Sequence, residues 1–475
     1  MWPNKLEFYR SLLFSGGMSM WVESITLENI KCFQNQEIKF IIRNPDNKRR
    51  QDAKPYHWIT LLGENGVGKS TILQALALLL AGPEAAKELL PRPTGWICNP
   101  KTPGKLTAVL HQEDGDAGKF GTDKTRKTFA YSYFVTGKER LELGGSKDKQ
   151  TYTEPALIEE NSKILGWLRA NAFASDNHGW FAVGYGAFRR LTRVSQVIIP
   201  SLEPPQRSSN FFSQFNEDTS LSSFERWMVY LDYRIAKNPE DSKSKQMKKI
   251  GEEAITKLLP GNVEIAEVTA DGLIQFLVNG QKVPTISLSD GFRSMIALAG
   301  DLIWRLLQSF PNLDNPTEAS GVVLIDELDI HLHPSWQREI AGWLQEVFPK
   351  LQFFVATHSP LIAAGAGPNS LTLRIDLVAC ELEIVEIPYK ELAANVDRTL
   401  TSSAFGLKST YPTDTENKIK RYHQLNRKNK NLAAEEKQEY EQLSLFVREV
   451  KPFGEISQPN SLESRIDALL EERLS

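Results

Sequence analysis

Short apolar runs alternate with polar, glycine-containing turns along much of the chain. The run from Trp58 to Leu62 leads into a glycine-rich turn, and the next segment stays rich in apolar residues until Gly82. This order predicts a buried strand, a loop and a helix. Two further apolar runs, Val322–Ile325 and Leu351–Ala356, have the length and composition of buried parallel strands. The pattern therefore predicts an α/β fold.

The remaining pattern predicts how the chain is divided. Alternation from Val22 predicts paired strands ahead of the loop, and the segment Ile286–Leu306 places a Ser-Asp-Gly turn before apolar residues at helical spacing. No internal repeat or long heptad run is present. We therefore expect three parts: an N-terminal extension 1–19, a head 20–391 with an insertion at approximately 83–178, and a C-terminal helical region 392–475.

Composition narrows the class of protein. A chain of 475 residues is too long for one ordinary core, and a net charge of -3 argues against a polycation that coats nucleic acid. The three cysteines, Cys32, Cys98 and Cys380, lie far apart, which argues against a disulfide framework or a zinc module. No apolar run approaches the roughly 20 residues of a membrane span, and the first residues do not resemble a signal peptide. We expect a soluble cytoplasmic protein without a membrane partner.

The glycine-rich turn carries the most specific motif. Gly63 to Ser70 reads GENGVGKS, the phosphate-binding loop G-x-x-x-x-G-K-[ST]. Its backbone amides and the following helix favour phosphate, Lys69 can reach the β- and γ-phosphates, and the Ser70 hydroxyl can bind Mg²⁺. The alternative is a glycine-rich turn with a surface lysine. The motif predicts ATP bound with Mg²⁺. The predicted nucleotide-binding residues of this segment are Gly63, Glu64, Asn65, Gly66, Val67, Gly68, Lys69, Ser70 and Thr71.

Two acids follow the run Val322–Ile325, and they predict the catalytic half of the site. Acids at the carboxyl end of a parallel strand lie where α/β sheets hold ligands, so Asp326 is expected to hold Mg²⁺ and Glu327 to polarise the attacking water. His358, after the next run, is expected to sense the γ-phosphate or orient the water. The alternatives are an acid pair in a surface turn and a histidine paired within the core.

A histidine metal site is a weaker interpretation of the same region. His331 and His333 lie two residues apart and could form a trio with His358, but this spacing lacks a fixed third ligand for zinc. We therefore expect Mg²⁺ as the only metal.

The order of phosphate loop, LSDGF, Asp-Glu and histidine resembles the ABC-type ATPases, in the branch of structural-maintenance-of-chromosomes, Rad-fifty and RecF proteins. The family signature is L-S-G-G-[QE], so Ser289 and Gly291 match it, whereas Asp290 and Phe292 depart from it. The resemblance implies a P-loop NTPase fold of the ABC-type ATPase head and an ATP-linked homodimer or higher oligomer. In that assembly Ser289 and Gly291 would reach the γ-phosphate of a second subunit.

The same resemblance matches further residues of this sequence to motif positions of the family. LENIKCF is similar to the N-F-[RK]-x-F strand that opens these domains, which implies that Lys31 contacts the nucleotide. His333 stands where many members have the D-loop aspartate, and Gln214 is a candidate for the glutamine loop.

More narrowly, VGYGAFRRL, IDELDIHLHP and the tail DRTLTSSAFGLKSTYPTDTENKIKRY resemble the ATPase subunits of Septu-type and retron-associated antiphage systems. The resemblance implies a sensor or regulatory subunit that controls a nuclease or other effector encoded nearby. A RecF-like repair ATPase that clamps DNA is the alternative, and a transporter subunit is disfavoured by the insertion and the tail. The basic residues Arg189, Arg190 and Arg193 fit phosphate contacts in either of the first two, so nucleic acid stays open as a partner.

The charged region after Leu392 has two interpretations. Its basic and acidic runs indicate either a solvated helical hairpin or a docking surface for a partner or for nucleic acid. No second catalytic cluster is visible, so any nuclease activity is expected to belong to another chain.

Overall fold

A computed structural model gives the arrangement of most of the chain. The described residues are 20–42, 54–112, 128–137, 141–143, 150–152, 154–173, 180–189, 191, 206–216, 221, 223–259, 261, 263–378, 381–394, 396–407, 409–428 and 433–450. The predicted extension 1–19, Arg190, Arg193 and Cys380 lie outside these residues. No helix in this part of the chain combines the length and apolarity needed to cross a membrane.

The secondary-structure elements are numbered in chain order. The strands are β1 Trp21–Ile30, β2 Phe33–Lys39, β3 Ile41–Ile42, β4 Lys54–Pro55, β5 Trp58–Gly63, β6 Gly104–His111, β7 Thr128–Val135, β8 Leu141–Leu143, β9 Gln150–Tyr152, β10 Leu157–Glu159, β11 Ala182–Tyr185, β12 Val263–Val268, β13 Ile274–Val278, β14 Gln281–Pro284, β15 Gly321–Ile325, β16 Leu351–Ala356, β17 Leu371–Val378 and β18 Glu381–Glu386. The α-helices are α1 Lys69–Ala81, α2 Pro83–Leu89, α3 Lys163–Ala170, α4 Phe212–Phe215, α5 Ser223–Lys237, α6 Ser242–Leu258, α7 Asp290–Ser309, α8 Pro334–Val347, α9 Pro360–Gly365, α10 Tyr389–Leu392, α11 Val396–Thr401, α12 Thr413–Arg427 and α13 Ala434–Val450.

The central sheet has the strand order β11-β15-β16-β5-β17-β18. Its first five strands are parallel, and β18 pairs with β17 in the antiparallel direction. Every residue of β15 and β16 is buried, because both faces of these strands are covered. The α/β fold with a parallel sheet, predicted from the apolar runs, is confirmed.

The register of the parallel strands brings the motif residues to one edge of the sheet. Ile325 of β15 is opposite Val355 of β16, and Ala356 is opposite Leu61 of β5. The residues that follow these strands are therefore neighbours, although the sequence separates them widely.

A second, antiparallel sheet has the order β10-β7-β6-β1-β2. Strands β6, β7 and β10 come from the segment predicted as an insertion, and β6 pairs with β1 along most of its length. Helix α1 is buried almost all round, and its apolar residues share a core with those of β1, β6 and β7. The helix that follows the phosphate loop is therefore held rigidly by both sheets.

Helices α5 to α8 and the three-stranded sheet β12-β13-β14 pack around a second core. The indole rings of Trp227 in α5 and Trp304 in α7 are stacked, with ring centroids 6.0 Å apart. Gly300 of α7 lies against Phe224, where a side chain would clash. These contacts fix α7, the helix that begins within the LSDGF segment.

The last helices form a unit of their own, because the contacts divide the chain between Phe405 and Gly406. Within that unit α12 and α13 form an antiparallel hairpin, in which Arg421 donates two hydrogen bonds to Glu439 and the rings of Tyr422 and Tyr440 stack. The helical character predicted for this region is present. The boundary predicted at residue 392 stays a prediction, and the division by contacts lies later in the chain.

Candidate active site

The phosphate loop joins the end of β5 to the start of α1, as the sequence predicts. Gly63 and Gly68 have φ values of +147° and +101°, which side chains rarely adopt. A Cβ at Gly63 would lie 2.4 Å from the Ile375 carbonyl oxygen, and one at Gly68 would lie 2.7 Å from the Phe33 ring. Neither position has room for a side chain, so the close turn requires glycine.

The start of α1 is open to an anion. Its N-cap is Gly68, which offers no side-chain hydrogen bond, and the first turn has no acidic residue. The first amides of a helix lack intrahelical partners and carry the positive end of the helix dipole. A phosphate group can satisfy them at this position.

Lys69 lies across the loop that precedes it. Its Nζ donates to the carbonyl oxygens of Gly63 and Glu64, at 2.8 Å each. Burial lowers the pKa of Lys69, and the charges of Asp326, Glu327 and Asp329 oppose that shift. No ion pair to Lys69 is present among the described residues, so its charge is available to a bound anion.

Asp326 follows β15 and lies beside the first turn of α1. Its backbone amide donates to the Tyr185 carbonyl oxygen at 2.9 Å. Burial raises the pKa of Asp326, and a hydrogen bond from the Ser70 hydroxyl, with the charges of Arg189 and Lys69, opposes the increase.

The surroundings of one Asp326 carboxylate oxygen indicate whether these residues could bind Mg²⁺. Oδ1 is buried and has no hydrogen-bond partner. A buried, unsatisfied carboxylate oxygen next to a serine hydroxyl is the donor set that Mg²⁺ uses when phosphates and water supply its other ligands. The residues fit, and Ser70 and Asp326 are those that would hold the ion.

Glu327 is the next residue, and its backbone is strained. Its φ is +46°, the left-handed region that non-glycine residues adopt at a cost. Its carbonyl oxygen accepts from the Arg189 Nη2 at 2.8 Å, and that of Asp326 accepts from the Arg189 Nη1 at 2.6 Å. The interpretation of Arg189 as part of a basic phosphate-contacting segment is wrong, because the side chain is buried and its donors are directed at these carbonyls.

The turn after β16 carries His358, and Asp329 holds that turn. The Thr357 hydroxyl and the His358 amide both donate to Asp329 Oδ1, the second at 3.2 Å. The His358 side chain is exposed at the same edge of the sheet as Asp326. Asp329 is not among the site residues predicted from the sequence, although its position as the third acid in Asp-Glu-Leu-Asp is a signal for it.

Ser289 and Gly291 lie on a different element. Ser289 is the exposed N-cap of α7, and a Cβ at Gly291 would lie 2.7 Å from the His331 carbonyl oxygen. The Phe292 and Trp336 rings meet edge to face at 4.6 Å. No hydrogen bond among the described residues joins Ser289 or Gly291 to the phosphate loop, and their contact with a nucleotide stays a prediction.

Lys31 and Gln214 both contact Gln74, which lies one turn after Ser70 on α1. The Lys31 Nζ donates to Gln74 Oε1 at 3.3 Å and lies 4.6 Å from the Trp96 ring centroid. Gln74 Nε2 donates to the Gln214 carbonyl oxygen at 2.9 Å. Both side-chain polar atoms of Gln214 are buried without a partner. An unsatisfied buried amide beside α1 suits a residue that turns toward a ligand.

The histidines do not form a metal trio. Among the described residues no group of three or more His, Cys, Asp or Glu side chains could hold a metal ion. The His333 Nδ1 interacts with Ser335 at the start of α8, so His333 acts as a helix cap.

Comparison with known proteins finds one matching family and several similar proteins. Residues 59–364 match the family described as "AAA domain, putative AbiEii toxin, Type IV TA system". A Septu protein PtuA of Bacillus mycoides is 28% identical over 414 residues, 86% of this chain and 48% of that protein. The chain thus spans about half the length of that relative. A retron Vc95 probable ATPase of Vibrio cholerae is 46% identical over 84 residues, 18% of this chain and 16% of the other.

Among solved structures, the chain is similar to the Smc head bound to the C-terminal winged-helix domain of ScpA. The identity is 16% and the TM-score 0.47, with 78% of this chain and 99% of that chain covered.

Proposed function

We propose that the chain, which belongs to the AAA-domain family matched by residues 59–364, binds ATP with Mg²⁺ at the phosphate loop. We propose that it then hydrolyses the ATP to ADP and phosphate. One observation supports the proposal most strongly. The Asp326 carboxylate interacts with Ser70, in the first turn of α1, and its Oδ1 is buried without a hydrogen-bond partner. A magnesium-bound nucleotide would satisfy both the carboxylate and the helix amides.

In the proposed reaction a water oxygen bonds to the γ-phosphorus, the bond from that phosphorus to the bridging oxygen breaks, and ADP leaves. The loop amides and Lys69 bind the phosphates, and Glu327 orients the water and accepts its proton. His358 would sense the γ-phosphate or orient the water. Mg²⁺, when bound, neutralises charge on the phosphate oxygens.

The test is phosphate release by the purified full chain with ATP and Mg²⁺. Glu327→Gln should bind ATP as the wild type does but turn it over about a hundredfold more slowly, since a positioned base supplies about 10²–10⁴ in rate. Glu339→Gln, in the exposed part of α8, is the matched control. Hydrolysis by Glu327→Gln at the wild-type rate would refute the assignment.

We further propose that ATP joins two copies of the chain. Ser289 is exposed at the start of α7, and no hydrogen bond among the described residues joins it or Gly291 to the phosphate loop, which suits contact with the nucleotide of a second subunit. Light scattering with a non-hydrolysable ATP analogue should detect dimers that Ser289→Arg abolishes, whereas the affinity for the analogue persists in the monomer. Full hydrolysis by Ser289→Arg would mean that each site works alone.

We also propose that the chain regulates a separate nuclease or other effector in an antiphage system, in keeping with its resemblance to Septu and retron ATPases. The purified chain with ATP and either Mg²⁺ or Mn²⁺ should leave plasmid DNA and RNA intact. Cutting that survives Glu327→Gln would contradict the proposal.

We propose that the effector docks on the C-terminal helical region, and the fold determines where the chain can be shortened to test this. Leu392 and Ala404 share a small core with Leu62, Ala363 and Ile387, so a deletion from Leu392 would damage the head. A chain ending at Phe405 avoids this. It should keep ATP turnover and lose capture of the effector encoded beside it, and equal capture by both chains would refute this assignment.

A further inference from the structure

Arg189 is buried, with 4% of its surface exposed, in the segment that follows β11. Its Nη1 donates to the carbonyl oxygens of Gly186 at 2.9 Å and Asp326 at 2.6 Å, and its Nη2 donates to that of Glu327 at 2.8 Å. All three acceptors are backbone groups. The guanidinium is therefore used to hold main chain, and none of these bonds pairs it with a carboxylate.

Two of the acceptors lie on either side of one Cα atom. The Asp326 carbonyl belongs to the peptide plane before Glu327, and the Glu327 carbonyl belongs to the plane after it. The orientation of these two planes sets the φ and ψ angles of Glu327. A planar, rigid guanidinium that binds both carbonyls therefore fixes the backbone of Glu327.

The fixed conformation is one that Glu327 would not adopt readily by itself. Its φ of +46° lies in the left-handed region, where a side chain with a Cβ is strained. Strained residues persist only when surrounding contacts hold them. The direction in which the Glu327 carboxylate leaves the chain follows from this backbone, so a change in φ would move the carboxylate away from the water.

We propose that Arg189 is a positioning residue for ATP hydrolysis, which holds the backbone of Glu327 in the conformation that directs its carboxylate at the attacking water. This rests on the proposed function of Glu327 as the base. Arg189 acts through Glu327 and does not touch the nucleotide.

A second arginine, Arg207, which is half-buried, provides a control. Arg207 donates to carbonyl oxygens only, including that of Leu80 at 2.8 Å and that of Ala81 at 3.1 Å. Burial lowers the pKa of both arginines to about 10. However, Arg207 holds the C-terminal end of α1, roughly 20 Å along a 13-residue helix from the phosphate loop. The two residues share charge, acceptor type and a lowered pKa, and they differ in whether Glu327 is the residue held.

The experiment compares Arg189→Met and Arg189→Lys with Arg207→Met and Arg207→Lys in the full chain. The ATP affinity, the kcat for phosphate release and the Tm are measured for each protein. Arg189→Met should lower kcat by about ten- to a hundredfold, part of what a positioned base supplies, with ATP affinity within about threefold of wild type. Arg189→Lys should also be slow, since an ammonium cannot bind both carbonyls in the same fixed plane. The Arg207 variants should lower Tm and leave the kcat of the folded protein unchanged.

A double-mutant cycle separates positioning from general stability. In a Glu327→Gln background, Arg189→Met should change kcat by less than about twofold, because its effect acts through the carboxylate already removed. An equal loss in both backgrounds would overturn the proposal, as would a folded Arg189→Met or Arg189→Lys protein with wild-type kcat. If Arg189→Met does not fold, the kcat of Arg189→Lys in both backgrounds tests the proposal instead.

The two proposals fail in different ways. If Glu327→Gln alone hydrolyses ATP at the wild-type rate, the assignment of the base is refuted and the role of Arg189 falls with it. If Glu327→Gln is slow and Arg189→Met is as fast as wild type, only the role of Arg189 is refuted.

Discussion

The phosphate loop and the carboxylate turn lie at the same edge of the central sheet, but different kinds of contact hold them. The loop is held mainly by neighbouring residues: glycines that permit its turns, and Lys69, which donates to the carbonyls of Gly63 and Glu64. From outside the loop, the Cys32 thiol donates to the Val67 carbonyl oxygen at 3.6 Å. The turn of Asp326 and Glu327 is held by Arg189, which is more than a hundred residues earlier in the chain.

This difference suggests that the two regions separate binding from turnover. A loop whose contacts do not involve the carboxylate turn is preformed for phosphate and should bind nucleotide even when that turn is disturbed. A turn that depends on distant contacts can be displaced without loss of the loop, and displacement of a base by about 1 Å is enough to slow catalysis about a hundredfold. Variants of the phosphate loop should therefore lose ATP binding, whereas variants of the carboxylate turn should lose turnover and keep binding. The following predictions test that division.

The largest effect is expected from Lys69→Ala. It removes the cation directed at the phosphates and also the two bonds that hold the loop. ATP affinity should fall by at least about a hundredfold, since hydrogen bonds to charged groups contribute about 1.5–3 kcal/mol each. Equilibrium dialysis with labelled ATP measures this, with Lys101→Ala at an exposed turn as the control. Wild-type affinity in Lys69→Ala would place the nucleotide elsewhere.

A smaller effect, on turnover alone, is expected from Asp329→Ala. This change removes the acceptor shared by the Thr357 hydroxyl and the His358 amide. The histidine turn should loosen, and kcat should fall by about tenfold, the worth of one hydrogen bond to a charged group. Phosphate release and ATP dialysis are measured together, with Asp314→Ala in an exposed turn as the control. A loss of affinity as large as the loss of kcat would contradict the separation of the two regions.

The same contrast explains what the sequence could predict. The loop motif is contiguous, and the apolar runs before Gly63 and Asp326 predicted two strands of the parallel sheet that the structure has. The register of those strands then brings their ends together without further information.

The supporting contacts could not be predicted, because they join residues far apart in the chain. Arg189 belongs to a basic-looking segment, and only its placement beside β15 shows that its charge is buried. Asp329 lies close to Glu327, but its partners Thr357 and His358 come from the end of another strand. The residue pattern likewise does not indicate that Glu327 has a left-handed backbone conformation.

The smallest effect concerns stability. Burial raises the pKa of Asp326 above its ordinary value of 3.8, so the folded protein without ligand holds this proton more tightly than the unfolded chain does. Stability is then lost as pH rises from that ordinary value through the raised one, because the unfolded chain releases the proton more easily. Asp326→Asn should therefore have the higher Tm at neutral pH without Mg²⁺ or nucleotide, and the difference should vanish at low pH. Thermal unfolding across pH measures this, and a lower Tm for Asp326→Asn at neutral pH would contradict it.

The separation of binding from turnover is tested most directly by the nucleotide that stays on the protein after one binding event. Wild type, Lys69→Ala, Glu327→Gln and Arg189→Lys are each mixed with labelled ATP and Mg²⁺, quenched after several times, and analysed for bound ATP and ADP. We expect ADP on the wild type, intact ATP on Glu327→Gln and Arg189→Lys, and no nucleotide on Lys69→Ala. Loss of bound nucleotide from Glu327→Gln and Arg189→Lys, or the same rate of ADP formation on them as on the wild type, would contradict the separation.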